Sequence, residues 1–448
     1  MASPYFNTSH RLQQLTEVLA DSYPDTATLT DEQVWQKLGM KGAPKYATLR
    51  NWYSDLLASL IHFLGVESVL SQEHQQELAA VGALRYRKQP EHAIKLLNKV
   101  QAMLSATTVR QDEFLRDSFA ALHERSLLDT LYNPGVDRQI LQQQLDVMVE
   151  RVLAQLLRQY TLMLHEQYQH SELYTFHLRA EVQRFIADNP VFRKNAAIDI
   201  LTTVLTLAEN PTEATYLQLT GLIDQRLSEL SFIDGYMAFT HASDHCMHQI
   251  NVVGNRAYFR HAFEGFRAKI DAGLIGIPNI LYPDFVYYVR MAAHCGDFAA
   301  ARNFMAEFAV GIPDDVRTDV LQFCNGVLAQ HEGNSAIALQ HFSRVNLSQP
   351  TLKILVRVYT IENLLTLGHW DEALRATDAL RHMRIDLTTV SRAHRNTIEH
   401  FVRLVPRVVR CSMNGVPAER RKVVLEAIRA MPSNHFDVRN WLADFIRV

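Results

Sequence analysis

His241, His245 and His248 follow one another at spacings of four and three, which sets three imidazoles on one helical face beside Asp244 and Cys246. Such a face can offer imidazole ligands to zinc, but a closed tetrahedral site needs four ligands. No second ligand cluster stands out to complete it, so a polar helix–helix contact is the expected role, with no metal. His165-Glu166 and His170 look superficially like a zinc-protease helix. That motif needs its second histidine four residues after the first; here the gap is five, which turns His170 off the face. Phosphate-binding glycine loops and a G-x-S-x-G nucleophile turn do not occur. Asp314-Asp315 follows Pro313 and reads as a helix start. An enzyme would have to assemble its site from scattered residues, so no catalytic residue and no cofactor are expected.

Two segments bear on charged partners. Residues 30–64 loosely resemble a helix-turn-helix: a helix ends at Leu38-Gly39, a loop follows, and a second helix starts near Tyr46. This second helix carries Asp55 and one arginine, Arg50, whereas a recognition helix presents several basic or amide groups to DNA. Trp52, Leu56 and Leu60 read as core. Arg403, Arg407 and Arg410 share a face if Pro406 leaves their helix intact, and Arg420, Arg421 and Lys422 follow. They read as a solvated end, with an acidic partner or nucleic acid as the sharper alternative.

The elements that must position these residues are helices. The chain has 448 residues, a net charge of -3, 48% hydrophobic and 21% charged residues. This is ordinary globular composition, too long for one compact core. A strong global pull toward nucleic acid or anionic lipid is excluded. Four dispersed cysteines without a C-x-x-C pair, no signal peptide, and no apolar run longer than Leu56–Val66 point to reduced thiols, the cytoplasm and no membrane partner. Asn346-Leu347-Ser348 matches a glycosylation acceptor that has no meaning there. Thr30 and Gln33 form a capping box, and 46–64 is amphipathic. Asn133-Pro134-Gly135 stops a helix. The strongest stripe is Leu141, Leu145, Met148, Val152, Leu156, Tyr160 and Met163, expected to be buried on a broad face. Asn189-Pro190 and Asn210-Pro211 read as turns between helices.

The C-terminal half repeats. Gly296-Asp297-Phe298, Gly333-Asn334-Ser335 and Gly368-His369-Trp370 align, with small residues Ala301, Ala338 and Ala373 five positions after each glycine. The spacings are close to the 34-residue tetratricopeptide period. Glycine suits a left-handed helix end, and alanine lets paired helices approach. Pro313 and Pro350 follow the first two glycines by the same interval and are expected to break each second helix; Ile385 departs from that pattern. In such repeats the fifth and ninth residues of each first helix commonly face the concave side. Here these are Val286 and Arg290, Phe323 and Val327, Val358 and Glu362, a mostly apolar set suited to an apolar helix or segment.

On these residues the chain resembles an uncharacterised family of bacterial helical-repeat proteins of bacteroidete type, over nearly its whole length. Ser3-Pro4-Tyr5-Phe6-Asn7 is similar to that family's opening, a pattern that would make Met1 an internal start. Asn251 through Gly254-Asn255 and Phe259 to Leu274 resemble its centre; Gly296–Phe308 and His369–Leu380 resemble its repeats. The resemblance implies a tetratricopeptide-like fold and no activity, and the wider repeat class implies peptide or protein binding.

The expected fold is all-α, an α-α superhelix of tetratricopeptide-like hairpins behind an N-terminal helical section. The expected segments are 1–135, a middle array at 136–270, repeats at 271–422 and a capping helix at 423–448. The expected function is a non-enzymatic protein-interaction scaffold. A transcription regulator using residues 30–64, or an enzyme with a scattered site, are the alternatives.

Overall fold

The computed structural model describes residues 9–22, 29–70, 73–107, 109–132, 139–170, 173–277, 280–347, 349–383, 392–413 and 417–447. Ser3–Asn7, Asn133–Gly135, Ser348 and Ile385, and the side chain of His170, lie outside them. Among the described residues the secondary structure is helical throughout, with no strand. The chain forms two compact units: 1–107 with 113–148, and 108–112 with 149–448. No helix among the described residues is long and apolar enough to cross a membrane. The four cysteines are free.

The first unit contains α1 (His10–Ala20), α2 (Asp31–Lys37), α3 (Tyr46–Leu70), α4 (Glu73–Tyr86), α5 (Pro90–Ser105), α6 (Asp112–Tyr132) and the start of α7 (Ile140–His170). The capping box at α2 forms as expected: Gln33 N–H donates to Thr30 Oγ1, and Thr30 N–H donates to Gln33 Oε1. Leu15, Trp35, Leu49 and Leu56 make one small core, with Trp52 stacked on Trp35. Leu97, Val100, Ala121 and Leu128 make another. Helix α7 departs from expectation. Leu141, Leu145, Met148 and Val152 are 65, 47, 46 and 48% exposed. Farther along, Tyr160 of the same stripe is buried as expected, together with Leu153, Ala154 and Leu157.

The second unit continues with α8 (Arg179–Asp188), α9 (Ala196–Glu209), α10 (Glu213–Arg226), α11 (Phe232–His248), a π-helical turn (Gln249–Val253) and α12 (Tyr258–Asp271). The repeats follow as α13 (Tyr282–His294) with α14 (Phe298–Phe308), α15 (Asp314–His331) with α16 (Ser335–Phe342), and α17 (Pro350–Thr366) with α18 (Trp370–Arg381). Then come α19 (Arg392–Ser412), α20 (Ala418–Arg429) and α21 (Val438–Phe445). Each hairpin packs on itself, and the first helices stack, α13 on α15 and α15 on α17. All three turn glycines have positive φ, 73°, 82° and 73°. The residue after each donates its N–H back across the turn, to Ala292, Ala329 and Leu364, the closure that a left-handed helix end makes. Ala301, Ala338 and Ala373 have no exposed surface.

The prolines act differently from expectation. Pro313 caps α15 and Pro350 opens α17, because a missing N–H costs nothing in a first turn. Each therefore starts the next hairpin, and the second helices have already ended at Phe308 and Phe342. Helix α19 runs through Pro406 unbroken, and Arg403 and Arg410 are exposed along it.

The C-terminal segment is more than an end cap. It returns to the π-turn and α12, so that contacts pass from α12 through α13, α15, α17, α18, α19 and α21 back to the turn. Asn434, fully buried, donates from Nδ2 to the Ile250 carbonyl at 3.0 Å and from its N–H to the Asn251 carbonyl. Arg439 Nη2 donates to the Val253 carbonyl at 2.7 Å, and Asn440 Nδ2 to the Gly254 carbonyl at 2.9 Å. A helix end leaves carbonyls without intrahelical donors; here they are satisfied from about 180 residues away. The Arg256 guanidinium binds Asp437 and Asp444. Phe436 and Asp437 both take positive φ, 62° and 61°, a strain of about 1–3 kcal/mol each that the clasp holds in place.

Candidate functional site

Inside this closed circuit lies a cavity of about 310 Å³ with both aromatic and polar walls. It is lined by Arg256 and Phe259, by His294 from α13, by Gln330 and His331 from α15, by Tyr359 and Glu362 from α17, and by Phe436, Asp437 and Trp441 from the returning segment. Two of the six residues expected on a concave face belong to this region. Glu362 is 2% exposed, with Oε2 accepting from Gln330 Nε2 at 2.9 Å. Arg290 donates from Nε to the Tyr359 hydroxyl at 3.2 Å. The other four, Val286, Phe323, Val327 and Val358, are core residues at 0–3% exposure and offer no groove. The register explains three of the four. Helices α15 and α17 start at the prolines, so Phe323 and Val358 lie deeper in their helices than a fifth residue would, whereas Val286 is the fifth residue of α13 and is nonetheless buried.

Burial sets the electrostatics. It pushes Glu362 up to about 8 and His331 down to about 4, and it holds His294 well below the usual imidazole range. His294 stacks on Phe259 with ring centroids 3.8 Å apart and meets His331 edge-on at 4.4 Å. His394 and His435 pair nearby at 4.0 Å, both depressed by burial, to about 4 and about 3. Three side-chain atoms in this neighbourhood are buried without a hydrogen-bond partner: Glu362 Oε1, Asn363 Oδ1 and His294 Nε2. Sequence reading missed these histidines because they are far apart in the chain. A signal was present: His294 and His331 both stand two residues before a turn glycine, in repeat register.

The other histidine group lies on α11. His241 and His245 are 6 and 5% exposed, and both are lowered to about 4 by burial. His165 Nδ1 is 2.7 Å from Asp244 Oδ2, a hydrogen bond that raises the imidazole. His245 stacks on Tyr216 at 5.1 Å. His241, Asp244, His245 and His248 line a smaller cavity of about 190 Å³ with Leu164, Tyr168 and Leu207. The three imidazoles thus share the face that their spacing implies. Among the described residues, no three histidine, cysteine or carboxylate side chains are placed to hold a metal. In the region resembling a helix-turn-helix, Leu49 and Leu56 are buried and Arg50 is exposed.

Compared with known protein families, with curated proteins and with solved structures, the chain matches none of them.

Proposed function

We propose that this protein is a non-enzymatic interaction scaffold, and that the apolar stripe on the N-terminal part of α7 is its docking element. The observation that carries this reading is the exposure of Leu141, Leu145 and Met148, all in the first unit. Their spacings of four and three match one heptad of a coiled-coil seam, which sets them apart from scattered surface residues. Helix α3 carries a second such stripe, Leu57, Ile61 and Leu64, at 57–62% exposure. The partner is a helix with an apolar stripe, and the first candidate is a second copy of this chain, which would bring matching stripes in a two-fold arrangement. Each leucine or methionine buried contributes about 1.5–3 kcal/mol, against an association cost of about 4–15 kcal/mol. The stripe therefore suits weak, reversible association.

The same features weigh against DNA. Arg50 is the sole Lys or Arg in α3, and that helix presents exposed apolar side chains where phosphate contacts would need positive charge. The bacterial setting, the cytoplasmic location and kinship with the helical-repeat family belong to this proposal.

Sedimentation velocity across micromolar concentrations is the test. Wild type should self-associate, and Leu145→Lys with Met148→Lys should sediment as a monomer with unchanged helical circular dichroism, since both side chains are already solvated. A wild type that stays monomeric at the highest concentration would refute the self-association reading.

A further inference from the structure

Two side chains that line the cavity inside the closed circuit, Glu362 and His294, each carry a buried polar atom without a hydrogen-bond partner. Gln330 Nε2 is committed to Glu362 Oε2, and Asn363 Nδ2 to Gln330 Oε1 and the Tyr359 carbonyl. Arg290 Nε is committed to Tyr359, and Arg256 to Asp437 and Asp444. Against these stand two unpartnered buried atoms on lining residues, Glu362 Oε1 and His294 Nε2. An ionised Glu362 Oε1 can only accept, and His294 Nε2 accepts in one of its neutral tautomers. Buried polar groups are normally paired, and an orphan needs a reason. Phe259, Phe436 and Trp441 add aromatic surface to the same walls, which attracts a cation when water is excluded. Arg256 and Trp441 are partly exposed and mark the way in.

We infer that this cavity binds a small organic cation, a primary ammonium or guanidinium compound, with Glu362 as its counter-charge and the three aromatic side chains as its walls. At about 310 Å³ the site is at the small end of ligand pockets, so the ligand is a compact molecule rather than a peptide. An anion is disfavoured because the Arg256 guanidinium is already held by two carboxylates.

The experiment is isothermal titration of the full chain with n-butylamine and benzylamine, and with their uncharged counterparts 1-butanol and benzyl alcohol, in HEPES and in phosphate. The cations should bind and the alcohols should not. Glu362 is held protonated by burial up to about 8, so cation binding at pH 7 should release close to one proton. The difference in heat between the two buffers reads this release, and affinity should rise roughly tenfold per pH unit between pH 6 and 8. Glu362→Gln should lower affinity at least about tenfold and abolish the proton release. If that variant fails to fold, the wild-type buffer comparison still decides. Absence of saturable binding at millimolar cation, equal binding of the alcohols, binding without proton release, or full affinity in a folded Glu362→Gln protein would each overturn the assignment. None of these outcomes depends on the α7 stripe or on oligomeric state.

Discussion

Glu362 and the buried imidazoles load the interior with groups that titrate in opposite senses. Glu362 is raised from 4.5 to about 8. Between those values the folded carboxyl keeps a proton that the unfolded chain has lost, so stability falls as pH rises through that window. His331 and His394 are lowered from 6.5 to about 4; the unfolded chain binds protons first, so stability falls as pH drops below 6.5. The windows overlap between pH 4.5 and 6.5, where the two imidazoles outweigh the one carboxyl, so urea unfolding should show maximal stability near pH 6.5. Glu362→Gln should leave stability near pH 5 little changed and raise it by about 1–3 kcal/mol at pH 8, where the unfolded wild-type carboxyl is ionised in water and the folded one must hold a proton or bury its charge. A gain of the same size at both pH values would show that ionisation is not the cause. At this scale the sequence was only partly legible. Arg290 and Glu362 could be picked out because the repeat register placed both at the ninth position of a first helix. Their surroundings depend on Asp437 and Phe436, which nothing local connects to them.

The hairpins were the most legible elements, because a positive-φ glycine and a tight alanine are local requirements. Gly326 escaped that reading. It lies inside α15, and a Cβ there would come within 2.6 Å of the Phe342 ring, itself 2% exposed. Gly265 in α12 would place its Cβ in open space. Gly326→Ala should cost about 1–3 kcal/mol through overpacking, and Gly265→Ala should gain about 0.5–1 kcal/mol from helix propensity. Paired denaturation curves check both; two gains would mean that α15 and α16 are looser than this packing. The prolines and the α7 stripe were misread for related reasons. Periodicity shows that a face is apolar and a proline shows that a boundary is near. Neither says what lies against the face or on which side of the boundary the helix lies.

The return of the C-terminal segment could not be read from the sequence, since Asn434 meets Ile250 across 184 positions. Gly254 offers a single-residue probe of this closure. Its φ is +85°, and a Cβ would fall 2.2 Å from Arg439 Nη2, which is hydrogen-bonded to the neighbouring carbonyl. Gly254→Ala should raise hydrogen exchange at residues 249–259 and 431–447 together while sparing α15 and α16. If exchange rose at 249–259 alone, the clasp would not be holding the two ends as one unit. The closure also bears on how such a chain can change over generations. An open array tolerates the gain or loss of a hairpin, because each unit meets only its neighbours. Here one extra hairpin would carry Asn434 about a helix diameter, roughly 10 Å, away from the carbonyls it must reach. Repeat number is thereby locked: duplication or deletion of a hairpin would have to be matched by re-fitting the seam, so variation in this lineage should appear as substitutions and loop changes, not as changes in copy count.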